Sequence, residues 1–515
     1  MSDPHGVPAG TPSQASLLAS GSLVQQLSQV TGLLMMFVIL TVLARRLSLT
    51  ELGVYGLLSS LAGYLLVFQN GVAGAALRGM SRAKDAGERA RAFSTAGALY
   101  AVAGLGTGVL VALVGVVVAL ALELSPGLRE QAILGALLLG LITAIGFPAT
   151  VFRDALRASQ MFVLAAGIEM VGLVIYAALV LGLVYGGAGL ALLIGASGAI
   201  PLLAGIGCAA AVRAQRLPFR LRASDVDRGQ AREFMGLAGY LSAAELAGVV
   251  IYALDRVILG LFQSAATVGL YEGPVRLHNL LRALNGALGI TVLPTASRYL
   301  AEGDDRRLLE LVVRGARYTL AIVVPLTVTL MVLAGPILEV WLGSEFRAGA
   351  TALAILVSYW LVSASLGVVN PLLVAAGRAD RIARYAWGVA LLNLGMSLAL
   401  TPWIGLEGVA IGTTVPYLLA FPLVLRLLTD TTPVRIADLA RAAWVPAYTT
   451  GLALATALVV ARLVIDLDSV PEVLLAAFTS VCGYWAAYYA LWLAPEERDL
   501  VREVAGSFLG LGRAR

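Results

Sequence analysis

Charged side chains are scarce in this chain. They make up 13% of its 515 residues, where a soluble domain carries about 25%. Lysine is nearly missing: Lys84 is the only one, and it follows Ala83. The Gly-Lys-Ser/Thr ending of a phosphate-binding loop therefore does not occur, which excludes P-loop ATP hydrolysis. Two histidines, one of them His5 in the N-terminal tail, are too few for a histidine-based metal centre. The two cysteines, Cys208 and Cys482, lie inside apolar runs, so neither a disulfide framework nor a thiolate metal site is expected. No metal, cofactor or catalytic residue is assigned.

What the chain has is apolar length. It is 59% hydrophobic with a mean hydropathy of +0.88. Charge-free runs such as Ala92–Leu122, Met170–Val212 and Ala348–Gly377 exceed the ~20 residues that cross ~30 Å of hydrocarbon. The fold class expected is an all-α polytopic membrane protein with about fourteen transmembrane helices. The spans fall near 22–43, 53–77, 94–122, 131–152, 163–185, 188–212, 234–262, 268–295, 314–341, 350–376, 385–404, 408–428, 442–464 and 473–493. Spans five and six are divided at Gly186-Gly187. The pI near 9.2 then reflects arginines facing anionic headgroups, not nucleic acid.

Lys and Arg alternate steeply across the connections. One side, which includes the C-terminal tail, holds 28 and the other holds Arg45, Arg46, Arg129 and Arg347, while four more lie within spans. This bias places the first set and both termini in the cytoplasm of a cell (inner or plasma) membrane. The tail 1–19 is expected to be disordered and lacks the basic start of a signal peptide. The segment 495–515 alternates charges with Leu500, Val501, Val504 and Phe508, as an interfacial helix does.

An internal repeat is visible at a constant offset of 216. Gly53-Val54-Tyr55 falls on Gly269-Leu270-Tyr271 and Ser81-Arg82 on Ser297-Arg298. The expected organisation is an N-lobe (20–212, spans 1–6), a cytoplasmic linker (213–233), a C-lobe (234–428, spans 7–12) and two further helices (442–493). An even number of spans per copy makes the two six-helix lobes parallel and pseudo-symmetric, as in many secondary transporters.

Polar residues concentrate in four spans. Span 8 carries Glu272, Arg276, His278, Asn279, Arg282 and Asn285 on one half of the helix, and span 7 carries Glu245, Tyr252, Asp255 and Arg256. Span 1 offers Gln25, Ser28 and Gln29, and span 2 offers Tyr55, Ser59 and Gln69. A buried arginine costs several kcal/mol unless it meets water, a partner or an anion. Internal pairing of Glu272 with Arg276 and of Asp255 with a neighbour is one reading, but Arg282 has no acid one turn away. The other reading has spans 1, 2, 7 and 8 lining a wet cationic cavity. Arg276, Arg282 and Arg256, with Asn279, His278, Gln25, Gln29, Tyr55 and Gln69, would bind an anionic substrate there. Asp255, Glu245 or Glu272 are candidates for coupling to H⁺ or Na⁺. Glu169 stands alone in span 5, and Asn370-Pro371 and Pro416 are candidate kinks.

Several segments carry a family resemblance. They include Leu43-Ala44-Arg45-Arg46-Leu47 with Leu52-Gly53-Val54-Tyr55, and Asp255-Arg256-Val257-Ile258-Leu259-Gly260 with Val268-Gly269-Leu270-Tyr271. Leu293-Pro294-Thr295-Ala296-Ser297, Trp341-Leu342-Gly343, Ala376-Gly377-Arg378 and Gly405-Leu406-Glu407-Gly408-Val409-Ala410 follow in order. From about residue 20 to 430 the chain resembles the polysaccharide-export (Wzx-type) flippases of the multidrug/oligosaccharidyl-lipid/polysaccharide superfamily. The resemblance implies fourteen helices, two lobes in a V, alternating access, and a lipid-linked oligosaccharide of the undecaprenyl-pyrophosphate type as cargo. Arg276 and Arg282 are the best-placed carriers of the pyrophosphate contact. The first span departs from some relatives in having glutamines and no arginine. That departure speaks against a peptidoglycan-precursor flippase, which remains an alternative beside a cation-coupled, MATE-like exporter. A membrane glycosyltransferase or ligase is the least favoured, because outer connections hold only scattered acids such as Glu51, Glu345 and Glu472.

Overall fold

Proline and the capping residues decide where the helices begin. Helix α1 (Gln14–Arg46) already holds residues 14–19, inside the stretch expected to be tail. Ser48 caps α2 (Leu49–Arg82) through a capping box in which Glu51 returns a bond to the cap backbone. Ser469 and Glu472 do the same for α21 (Val470–Leu491). Two of the acids expected on outer connections, Glu51 and Glu472, are thereby engaged in capping.

The computed structural model describes residues 14–289, 292–465, 467–499 and 502. Most of the expected interfacial tail 495–515 lies outside them, as do the side chains of Gln25, Glu245 and Tyr252. Between α2 and α21 come α3 (Ala86–Ala121), α4 (Pro126–Ala149), α5 (Val151–Ala158), α6 (Phe162–Tyr185), α7 (Leu190–Ala196) and α8 (Ala199–Ala214). The long α9 (Arg228–Phe262) and α10 (Ala265–Gly289) follow, then α11 (Val292–Glu302), α12 (Asp305–Val332) and α13 (Ala334–Leu342). The order closes with α14 (Ala350–Ser358), α15 (Trp360–Ser363), α16 (Leu366–Ala375), α17 (Ala379–Ile404), α18 (Leu406–Thr431), α19 (Ile436–Leu439) and α20 (Val445–Val464). No strand occurs among the described residues.

Ten helical segments among the described residues are long and apolar enough to cross a membrane, or eleven if α7 and α8, bent by 46°, form one span. The chain is a multi-pass membrane protein. The other three expected spans fall on α2, α9 and α10, which are 34, 35 and 25 residues long and carry most of the polar residues singled out above. The expected break at Gly186-Gly187 ends α6, with Gly187 at φ +72°. The 350–376 span is interrupted before its Asn370-Pro371, at Tyr359 and at Ala364-Ser365, and Pro371 lies inside α16. Pro416 lies inside α18, and the Gly412 carbonyl that its missing N–H leaves open accepts from Asn393 Nδ2 at 3.1 Å instead.

The chain divides into two compact units: residues 1–249 with 264–269, and residues 250–263 with 270–515. In the first, Phe93, Tyr100, Phe147, Ala155, Cys208 and Phe234 form the core. Around it large apolar side chains are bared, as a hydrocarbon solvent permits: on α3, Val102 is 73%, Leu105 62% and Val117 63% exposed.

A close approach in the first unit joins residues 49–53 of α2 to residues 265–269 of α10. A Cβ on Gly53 would lie 1.7 Å from the Ala265 carbonyl oxygen, and one on Gly269 would lie 2.2 Å from the Leu49 carbonyl oxygen. Leu49 and Ala265, like Gly53 and Gly269, are related by the offset of 216 read in the sequence.

Candidate functional site

In the second unit the chain reverses between α9 and α10, so residues sixteen apart face each other. Arg256 grips Glu272 with both ends of its fork, Nε to Oε1 at 2.5 Å and the Nη2 group to Oε2 at 3.3 Å. Arg276, one turn along α10, reaches the same carboxylate at 3.6 Å. The expected Glu272–Arg276 pair is present, but Arg256, read from the sequence as a substrate arginine, holds the carboxylate more closely. Side-chain exposure grades outward along the cluster: 3% for Glu272, 11% for Arg256 and 24% for Arg276. One carboxylate between two guanidiniums leaves a net positive charge, and the more open of the two is Arg276. Farther along α10, Arg282 is exposed and donates to Asn279 Oδ1 at 3.1 Å. Arg276, Asn279 and Arg282 therefore share a cationic face.

The rest of the polar half of α10 turns inward. His278 is 2% exposed. Its Nε2 is 2.9 Å from the Tyr359 hydroxyl, and Tyr359 stacks on Tyr417 at 4.6 Å between centroids. Asn285 is buried beside Gly367. The sequence spacing grouped these side chains with the arginines because it reports angle about the helix, not which neighbour fills each sector.

Asp255 is 3% exposed. Its Oδ2 accepts from the Tyr271 hydroxyl at 2.6 Å and from Thr413 at 3.3 Å, and Thr413 in turn receives Asn393 Nδ2 at 3.0 Å. Its Oδ1 is buried with no hydrogen-bond partner among the described residues. A buried carboxylate with one oxygen so placed is suited to take a proton or a small cation.

In the first unit the expected polar residues are dispersed. Gln29 is exposed. Tyr55 is at the edge of burial, with its hydroxyl 3.5 Å from that of Tyr176. Gln69 is 3% exposed and donates to Thr150 at 2.8 Å, a packing bond between α2 and the turn before α5. Glu169 does not stand alone: Arg157 lies at 3.2 Å and Arg153 at 3.6 Å. Asp154, 1% exposed, accepts from Arg153 at 3.3 Å and from the Tyr100 hydroxyl. Two acids and two arginines thus cancel inside this unit. Arg153 and Glu169 have the same separation in sequence as Arg256 and Glu272.

Among solved structures of similar fold, the lipid II flippase MurJ in an inward closed conformation covers 93% of this chain and 99% of its own at a TM-score of 0.71 and 14% identity. An inward-facing MATE multidrug transporter of the MOP superfamily covers 80% and 98% at 0.64, also with 14% identity. Among curated proteins, the probable low-salt glycan biosynthesis flippase Agl15 of Haloferax volcanii is 21% identical over 36% of this chain and 40% of its own. The probable flippase AglR of the same organism is 28% identical over 34% and 37%. The alignments thus span about two fifths of these curated relatives. A family model described as "Polysaccharide biosynthesis protein" matches residues 42–350, more than half of the sequence. By that match the chain belongs to the polysaccharide biosynthesis protein family.

Proposed function

We propose that the chain is a flippase. It moves a polyprenyl-pyrophosphate-linked oligosaccharide, of the undecaprenyl type, from the cytoplasmic to the outer leaflet of the plasma membrane by alternating access. Both termini are cytoplasmic in this reading. The carrying observation is the cationic face of α10, where a single carboxylate, Glu272, is shared between Arg256 and Arg276, and Arg282 is exposed. Guanidiniums match the diphosphate, the one strongly anionic part of such a lipid. The family and the flippase names of its relatives support the same cargo class. The test is reconstitution into liposomes with a fluorescent lipid-linked oligosaccharide and an impermeant quencher. Protein should speed exchange of the quenched and protected pools well above the protein-free rate. Exchange at the protein-free rate, with the protein correctly inserted, removes the proposal.

A second reading, coupling to H⁺ or Na⁺, rests on Asp255 and its unpartnered Oδ1. Asp255→Asn keeps the shape and most hydrogen bonds but removes the titratable charge. Transport by this variant is expected to lose its response to an imposed pH or Na⁺ gradient while residual exchange persists. An unchanged gradient response would exclude Asp255 as the coupling group.

A further inference from the structure

A groove of about 750 Å³ runs between α17 and α18 in the second unit. Its shape follows from the packing of the two helices. Near the Gly405 turn they touch: a Cβ on Gly408 would lie 2.7 Å from the Thr401 amide nitrogen, and one on Gly412 would lie 2.8 Å from that of Ser397. Beyond Asn393 and Pro416 they part, and a Cβ on Gly388 would meet nothing within 4 Å. Leu392, Leu419 and Leu423 line the opening and are 41%, 61% and 67% exposed. At its mouth stand Arg381, Arg384 and Arg426 with one acid, Asp430. Arg384 pairs with Asp380 at 2.9 Å and Arg426 with Asp430 at 4.0 Å, but these are exposed helical pairs of small strength. With Asp380 counted beside Asp430, three guanidiniums face two carboxylates, and the mouth keeps a net positive charge.

These arginines lie on the Lys/Arg-rich side of the membrane, where headgroups are anionic. The occupant must therefore join an apolar tail to an anionic head at the depth of the inner interface. We propose that the α17–α18 groove binds an anionic glycerophospholipid of the cytoplasmic leaflet, its phosphate on the three arginines and an acyl chain past Gly388 along Leu392, Leu419 and Leu423. No residue of the Arg256–Glu272–Arg276 cluster takes part, so the site stands or falls apart from the transport proposal.

Native mass spectrometry of the full-length protein in detergent, with equimolar phosphatidylglycerol and phosphatidylcholine, tests it. The wild type should retain phosphatidylglycerol over phosphatidylcholine by roughly tenfold, about one charge-assisted pair's worth. The triple variant Arg381→Ala, Arg384→Ala, Arg426→Ala should fall to parity, and the corresponding triple lysine variant should keep most of the preference. Gly388→Leu, which fills open space, should lower retention of both lipids. Equal retention by the wild type, an undiminished preference in the triple alanine variant, or displacement of phosphatidylglycerol by equimolar polyprenyl phosphate would each overturn the assignment.

Discussion

Arg276→Ala and Arg282→Ala are each expected to abolish complementation of a flippase-null strain at normal protein levels. A hydrogen bond to a charged group contributes about 1.5–3 kcal/mol, so losing one diphosphate contact slows transport by roughly 10- to 150-fold. Neither change should unfold the protein. Without Arg276, Glu272 still has the two-pronged contact of Arg256 at 2.5 and 3.3 Å, and Arg282 is exposed. Arg256→Ala is the contrasting variant. It strips the closest partner from a carboxylate that is 3% exposed, and breaking a buried pair costs about 3–5 kcal/mol. Its defect should therefore appear as lost protein on a membrane immunoblot. Full glycan export by both the Arg276 and Arg282 variants would remove the diphosphate role from α10.

Gly53→Ala and Gly269→Ala are expected to destabilise the protein strongly as well. Each would drive a methyl group into a carbonyl oxygen, at 1.7 Å for Gly53 and 2.2 Å for Gly269. Backbone cannot swing aside as a side-chain tip can, so each change falls at or beyond the upper end of the ~1–3 kcal/mol range for overpacking. A fall of about 3 °C or more in the unfolding midpoint of the purified protein should follow. Gly167→Ala on α6, whose new Cβ meets nothing within 4 Å, should leave the midpoint unchanged or raise it through helix propensity. Equal midpoints for all three variants would mean that the α2–α10 contact is not close-packed.

The repeat was read from glycines and tyrosines that stand out at one offset against a background of Leu, Ala and Val. The same offset then relates the residues of the reciprocal contact, Leu49 and Gly53 with Ala265 and Gly269. The helical class followed from apolar run lengths alone. Pairing was far less legible. A lone sequence shows that Glu272 and Arg276 are one turn apart, but the tighter bond to Arg256 depends on how the 263–264 turn folds α9 back beside α10. Glu169 was misread for the same reason, since its partners come from α5 across a short connection. His278 shows a third limit: its angular position fits the arginine face, yet Tyr359 and Trp360 close over it.

Glu272, held by two arginines at once, has a bearing on turnover. If the proposed diphosphate cargo docks on Arg276, the resident carboxylate would compete with it for the same guanidinium and temper its affinity. For the proposed flippase this would be an advantage, because a grip too firm would stall the cycle at its loaded step. In the proposed cycle, release of the cargo would let the carboxylate take up Arg276 again, so that the emptied site would carry less uncompensated charge.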